Sequence, residues 1–407
     1  MTRRRFLARG GKAALGAGFA GSLLAGCGSG GGGRPGELTY WSGLEGAEQR
    51  GYFTRNIEEP FEAAYAGITL ETNFQPAAEL DRVVRTALLG REGPDIVPTP
   101  GLSYAQEYID ANMFKSLDEY AEEYGWEDKM LGWALDMGRR EGSLYAIPYQ
   151  LQTMLLYYNK TLFEENGWTP PKSRDELEGL AEEIMGRGIV PFAAGIGDEP
   201  PAVEWFPTVF WNHFSSPEAL YQVLTAEIAF SDPIFVEAID LFNDYVQRGW
   251  FGGSRERFFS NGFDSIHAAL GNGEAAMNME GSWFMATIGD FFGGAAGNDN
   301  EWDWVPLPPM RDGVPKELYG LGLGSTLSVK HNTQNADEAA AFLNYLVSDT
   351  ERAAKWMADV PAAFNAPIPL GKKTYAMNAY GLAELFASYI FCRLKIFFSI
   401  VAFGVGV

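Results

Sequence analysis

The three histidines, His213, His267 and His331, stand apart in the chain and lack the spacing that lets side chains share a metal ion. No nucleophile elbow of the Gly-x-Ser-x-Gly kind occurs, and no glycine-rich loop ends in the lysine that grips a phosphate. The chain has 53 acids, so a glycosidase-like carboxylate pair could be picked almost anywhere and carries no weight. Aromatic plates are what the sequence does supply, with 11 Trp and 18 Tyr. A sugar ring carries hydroxyls on its rim and C–H groups on its faces. A site for it needs such plates beside hydrogen-bonding groups in one concave place. This chemistry favours a sugar over a metal or an amino acid, with polyols and glycerol phosphodiesters still open. No enzyme activity, no cofactor and no metal site is expected.

The first residues read as an address. Thr2-Arg3-Arg4-Arg5-Phe6-Leu7 gives paired arginines and then apolar residues, and Ala13 to Ala25 is small, apolar and uncharged. That is a secretory pattern, with the twin arginines pointing to export of a folded protein. The apolar stretch falls short of the roughly 20 residues needed to span a bilayer. Leu24-Ala25-Gly26-Cys27 resembles a bacterial lipobox, in which Cys27 is lipidated and becomes the first mature residue. Residues 27–36 then read as a flexible tether. These features place the protein outside the cytoplasm, held to the membrane by lipid on Cys27.

Removing such a leader from 407 residues leaves enough for two domains. Its basic residues, Arg3, Arg4, Arg5, Arg9 and Lys12, leave with it, so the remainder is more negative than the formal −22 of the whole chain. Phosphate backbones repel such a surface, which argues against nucleic acid. With only Cys27 and Cys392 present and Cys27 lipidated, no internal disulfide is available. A monomer is expected.

Alternation over Glu37 to Trp41 predicts a strand, helical spacing over Gln49 to Ala66 a helix, and Ile68 to Asn73 a second strand. Glu79 to Leu89 reads as helix and Gly93 to Val97 as a turn and third strand. This is the order of a parallel sheet covered by helices. Leu144 to Pro148 and Gln152 to Tyr158 are strand-like. Ser173 to Met185 reads as a helix with Ser173 and Glu176 as a capping box. Ile189 to Ala194 and Gly320 to Val329 are further strands. Glu204 to Phe214, Pro233 to Arg248 and Ala336 to Leu346 are further helices.

Four blocks in order carry a family resemblance. They are Gly93-Pro94-Asp95-Ile96-Val97, then Leu144 to Pro148 with Leu156 to Phe163 and Pro170 to Ser173. Gly271 to Met277 with Gly281-Ser282-Trp283 follows, and then Gly320 to Val329 with Asn335 to Ser348. Together they resemble the extracellular solute-binding proteins of sugar ABC importers, the group that includes maltose-binding protein. The resemblance implies an α/β, two-lobe periplasmic-binding-protein fold of type II, with the ligand cleft between the lobes. It implies capture of a carbohydrate by hinge closure and delivery to ABC permease subunits in the membrane. The lobes would comprise residues 37–148 with 312–362, and 149–311 with 363–389. Crossings are expected near Pro148, Pro306-Leu307-Pro308-Pro309 and Pro361, where proline restricts the backbone.

By the same resemblance Trp283 is the sugar-stacking tryptophan, and Trp205, with Glu204 beside it, and Trp211 lie in another aromatic region. Gln152 falls where maltose-binding protein has a ligand-binding glutamate. An amide both donates and accepts, so it suits hydroxyls. Tyr149 is near enough to stack. Thr99 falls at a stacking position and cannot stack, which argues against maltose. Independently, residues just beyond a parallel strand line the crevice of an open sheet, which singles out Trp41, Ser42 and Glu45. Glycine in the Gly320 to Gly324 stretch, Gly322 centrally, lets backbone approach a ligand or lets strand pack on helix.

Residues 390–407 contain no acid and are nearly all apolar, unlike the rest of the chain. A shifted reading frame near residue 389 or a core helix would each produce this. Two other functions fit the residues: a secreted carbohydrate-active enzyme, and a ligand-binding partner of a membrane sensor.

Overall fold

The computed structural model describes residues 34–44, 46–198 and 205–359. The leader with Cys27, most of the tether, Glu45, Glu204, Pro361, residues 363–389 and the tail 390–407 lie outside the described residues. The strands are β1 (Glu37–Ser42), β2 (Thr69–Phe74), β3 (Ile96–Thr99), β4 (Arg139–Arg140), β5 (Ser143–Leu144), β6 (Ile147–Asn159), β7 (Val190–Phe192), β8 (Ala275–Gly281), β9 (Trp302–Val305) and β10 (Leu321–Val329). β4 and β5 form a hairpin. The others form one sheet in the order β2-β1-β3-β10-β6-β8-β7, with β9 also on β6.

β1 pairs in parallel with β2 and β3, as strands joined by helical crossovers must. One face of β1 sends Leu38 and Tyr40 into a core with Phe53, Phe61 and Phe342. The other face of the sheet meets the helices Ala77–Leu89 and Leu102–Asp110, where Val97 packs with Val84, Leu88 and Ala105. The helical segment after β1 widens into a π-turn at Thr54–Glu58. Pro60, just beyond it, lacks an N–H and its ring clashes with the carbonyl four residues back, so the ladder must open there.

β6 holds the two halves together. Residues Ile147 to Thr153 pair antiparallel with β10, and Met154 to Tyr158 pair with β8. The change of partner therefore lies at Thr153–Met154 and not at Pro148, because Pro148 still pairs with Thr326 of β10. The two strand-like stretches expected from sequence are joined: β6 runs without a break from Ile147 to Asn159. Around its second half Leu156, Met277 and Met279 pack with Leu177, Ala181, Ile184 and Tyr245 from the helices Arg174–Gly186 and Pro233–Gln247. The chain returns from β9 to β10 through residues 306–320, which include the expected prolines.

Ser173 caps its helix as expected, its hydroxyl accepting from the Glu176 N–H at 3.3 Å. The Glu176 carboxylate takes the Lys172 N–H at 2.8 Å, one residue earlier than a capping box requires. A second polar lock ties the ends of three strands. The buried Asp95 carboxylate accepts from the Thr39 N–H at 2.9 Å, from the Thr39 hydroxyl at 2.7 Å, and from the Thr333 hydroxyl. Asp95→Ala removes a charged acceptor from three donors at once. We expect it to lower unfolding stability by about 2–3 kcal/mol, read as a shift of the urea midpoint at unchanged slope.

Candidate functional site

Side chains along a strand alternate between faces, and directly paired residues on an antiparallel ladder share a face. On β6, Tyr149, Leu151, Thr153 and Leu155 are buried, whereas Gln150, Gln152 and Met154 are half-buried. The half-exposed stretch lies on the face covered by the Val97 cluster on the β3 side and by the Leu156 cluster on the β8 side. It is a half-buried floor between two covered regions of the same sheet face, with Met154 already packed on the Leu156 cluster.

Glycines border this floor on both sides. Gly322 of β10 pairs with Gln152, and Gly281 of β8 pairs with Met154. The register of β10 shifts between Leu323 and Ser325, so Gly324 is bypassed as a bulge. The Gln152 carboxamide lies over Gly324 and the six-membered ring of Trp283 lies over Gly281. Trp283 itself is half-buried, in the short 3-10 helix Ser282–Ala286 that leaves β8. One plate and one amide thus stand on the same face of β6.

The backbone under the plate is held from below. The Tyr157 hydroxyl donates to the Gly281 carbonyl at 3.0 Å, and Glu280 Oε1 accepts from the Gly281 N–H at 3.1 Å. Burial, and then the Glu280 carboxylate, holds the Tyr157 phenol well above its ordinary range, so it stays a neutral donor. Glu280 Oε2 is 3.6 Å from Nε2 of His267, whose ring stacks on Phe284 at 3.9 Å. From the opposite half, Gln49 Nε2 donates to the Ala286 carbonyl at 3.2 Å. Among the described residues no group of three His, Cys, Asp or Glu could hold a metal ion.

Residues 46–353 match the family of bacterial extracellular solute-binding proteins. The chain belongs to that family. An ABC transporter extracellular-binding protein of Pyrococcus horikoshii is 24% identical over 264 residues, 61% of this chain and 55% of that protein. The alpha-glucosides-binding periplasmic protein of Rhizobium meliloti is 26% identical over 352 residues, 80% of this chain and 71% of its own length. A solved chitin oligosaccharide binding protein superposes with a TM-score of 0.70 at 18% identity, covering 88% of this chain and 87% of that one. The fold is the two-lobe, type II periplasmic-binding-protein fold, with the cleft between the lobes.

In this solute-binding protein the strand alternation sorts the residues singled out from sequence. Trp283, Gln152 and Gly322 come together along β6. Trp41 is half-buried against the Val97 cluster, which puts it on the same sheet face. Ser42 and Tyr149 lie on the opposite face, inside the core, and the structure does not bring them to the floor. Ser42 accepts from the Leu44 N–H at 3.3 Å and hydrogen-bonds Tyr40, while Tyr149 stands edge-on to Trp356 at 6.3 Å. The reason is parity: 149 and 42 have the wrong phase on their strands for a side that holds 152 and 41. Trp205 opens the helix Trp205–Phe210, and its side chain lies outside the described residues, as does Glu204. Trp211 packs on Phe230 at 5.3 Å and on Phe235. Thr99 is buried and its hydroxyl pairs with that of Thr326 at 2.8 Å. Gln150 and Met154 were missed from sequence; a single unbroken alternation through 150, 152 and 154 is the signal that finds them.

The return segment 306–320 is pinned by His213, whose ring nitrogens stand 2.9 Å from the Val209 carbonyl and 3.3 Å from the Leu318 carbonyl. Burial pushes the His213 pKa down, against the pull of these carbonyls. The unfolded chain therefore takes up the proton first as pH falls. Stability from this group is full above about pH 6.5 and is lost below it, at no more than about 1.4 kcal/mol per pH unit. We expect His213→Gln to flatten the fall in urea midpoint between about pH 7 and pH 5.5, relative to the parent protein.

Proposed function

We propose that the protein is the extracytoplasmic substrate-binding component of an ABC importer that captures a carbohydrate between its lobes and hands it to a membrane permease. The observation that carries this reading is the juxtaposition of the Trp283 plate and the Gln152 amide on one face of β6, where that strand changes partners. An aromatic face suits the C–H side of a sugar and an amide suits its hydroxyls. Relatives named for alpha-glucosides and for chitin oligosaccharides support the same class of solute. Binding across the floor would draw the lobes together about β6 and residues 306–320, with ligand shifting the population towards closure. In this reading Trp41 approaches the ligand from the first lobe. The protein acts as a monomer, exported by a twin-arginine leader and held by lipid on Cys27.

A thermal-shift screen of the full chain against maltotriose, diacetylchitobiose, raffinose and their monosaccharides tests the binding role. One sugar class is expected to raise the melting temperature, by about 2.7 kcal/mol of stabilisation at 100 times its dissociation constant. Trp283→Ala is expected to weaken that sugar by about 2 kcal/mol, roughly 30-fold. A cooperative transition that no sugar moves would overturn the carbohydrate assignment. For the anchor, Cys27→Ser is expected to release the protein from the membrane fraction of a producing bacterium, and retention there would contradict lipidation.

A further inference from the structure

Gly281 has φ −73° and ψ 161°, extended backbone open to any residue. Gly324 likewise lies outside the left-handed region that calls for glycine. Neither position needs glycine for its own conformation. What excludes a side chain is the space above. A Cβ on Gly281 would fall within 3.0 Å of Cζ3, Cε3 and Cη2 of Trp283, so the ring lies flat across that Cα. A Cβ on Gly324 would fall equally close to Cδ, Nε2 and Oε1 of Gln152, so the whole carboxamide plane lies there.

In both cases the obstructing atoms are the far end of a side chain that is half-buried on the floor, and not core backbone. The backbone of Gly281 is fixed from both sides by Tyr157 and Glu280, so the seat does not yield when the ring presses on it. The two seats flank the partner change of β6, one in each half of the sheet.

We infer that Gly281 and Gly324 are positioning residues of the ligand site, each an empty seat that sets a recognition group flat against the hinge sheet before ligand arrives. Gly281 seats the Trp283 plate and Gly324 seats the Gln152 amide. The inference rests on the carbohydrate-binding reading for its consequence, but the seating itself does not require a ligand. A methyl group on either glycine lifts the group above it and leaves the fold in place, because the backbone angles suit alanine and the displaced atoms can swing into the cleft. Each seat belongs to a different half of the molecule, so the angle between the halves sets the distance between plate and amide. The spacing of the two groups then selects for ligand size, and the shift at Gly324 loosens hydroxyl recognition while that at Gly281 loosens stacking.

The experiment uses the full chain labelled with 5-fluorotryptophan. Its fluorine spectrum contains signals from 11 tryptophans, and Trp283→Phe identifies the one from Trp283. Gly281→Ala is expected to move the Trp283 signal while the others hold, with a cooperative transition retained. Binding of whichever of maltotriose, diacetylchitobiose or raffinose the protein takes is expected to weaken about tenfold. In a Trp283→Ala background Gly281→Ala is expected to cost nothing further, because the seat is already empty. Gly324→Ala and Gln152→Ala form the same cycle. If Gly281→Ala alone does not fold, the double variant with Trp283→Ala is expected to fold. A Trp283 signal unmoved by Gly281→Ala, or an equal loss with and without Trp283, or a double variant that stays unfolded, overturns the proposal. If the parent protein binds none of the sugars, the carbohydrate reading fails while the fluorine spectrum still decides the seat.

Discussion

A single strand, β6, hydrogen-bonds first to β10 and then to β8, and every other element takes its place from that. Because side chains on a strand alternate strictly, one continuous β6 gives both halves of the sheet a common pair of faces. One face is buried from Tyr149 to Leu155. The other is covered at both ends and only half-buried at Gln150 and Gln152, with Met154 packed on the Leu156 cluster. The candidate floor is a half-buried stretch of shared sheet between the two sets of helices.

The floor is stiff where it meets Trp283. Tyr157 and Glu280 use a phenol and a carboxylate, both buried, to hold the two backbone groups of Gly281. A buried carboxylate without partners is costly, and here the Gly281 backbone N–H partners it. Such bracing holds the backbone beneath the Trp283 ring on both sides. Among the described residues, further links join the halves beside it. Gln49 reaches Ala286, and the return segment hangs on His213 through Leu318.

Much of the scaffold was legible because periodicity reports burial. The first strand, the helices Ala77–Leu89, Arg174–Gly186 and Pro233–Gln247, and the strand Leu321–Val329 fall within a few residues of their expected spans. The misses have local causes. Pro148 read as a break, yet a proline that still finds a place opposite Thr326 does not end a strand, so two expected strands are one. That error hid the alternation that unites Gln150 with Gln152 and turned Tyr149 towards the wrong side. Ser42 suffered likewise: lying beyond a strand end puts a residue near a crevice, but its phase on the strand decides which way it points.

The sequence by itself determined the α/β class, the order of strands and helices, and the kind of chemistry available, since composition, spacing and charge belong to the chain. Its resemblance to sugar-binding proteins also singled out Trp283 and Gln152 as candidate recognition groups. Which residues share a face was decided only by tertiary structure, because face depends on register and register depends on the partner strand. The absence of side chains at Gly281 and Gly324 acquires meaning in the same way. A glycine in a sequence says only that the backbone is unencumbered. That a tryptophan ring and an amide occupy the vacated space follows from β8 and β10 packing on opposite ends of β6.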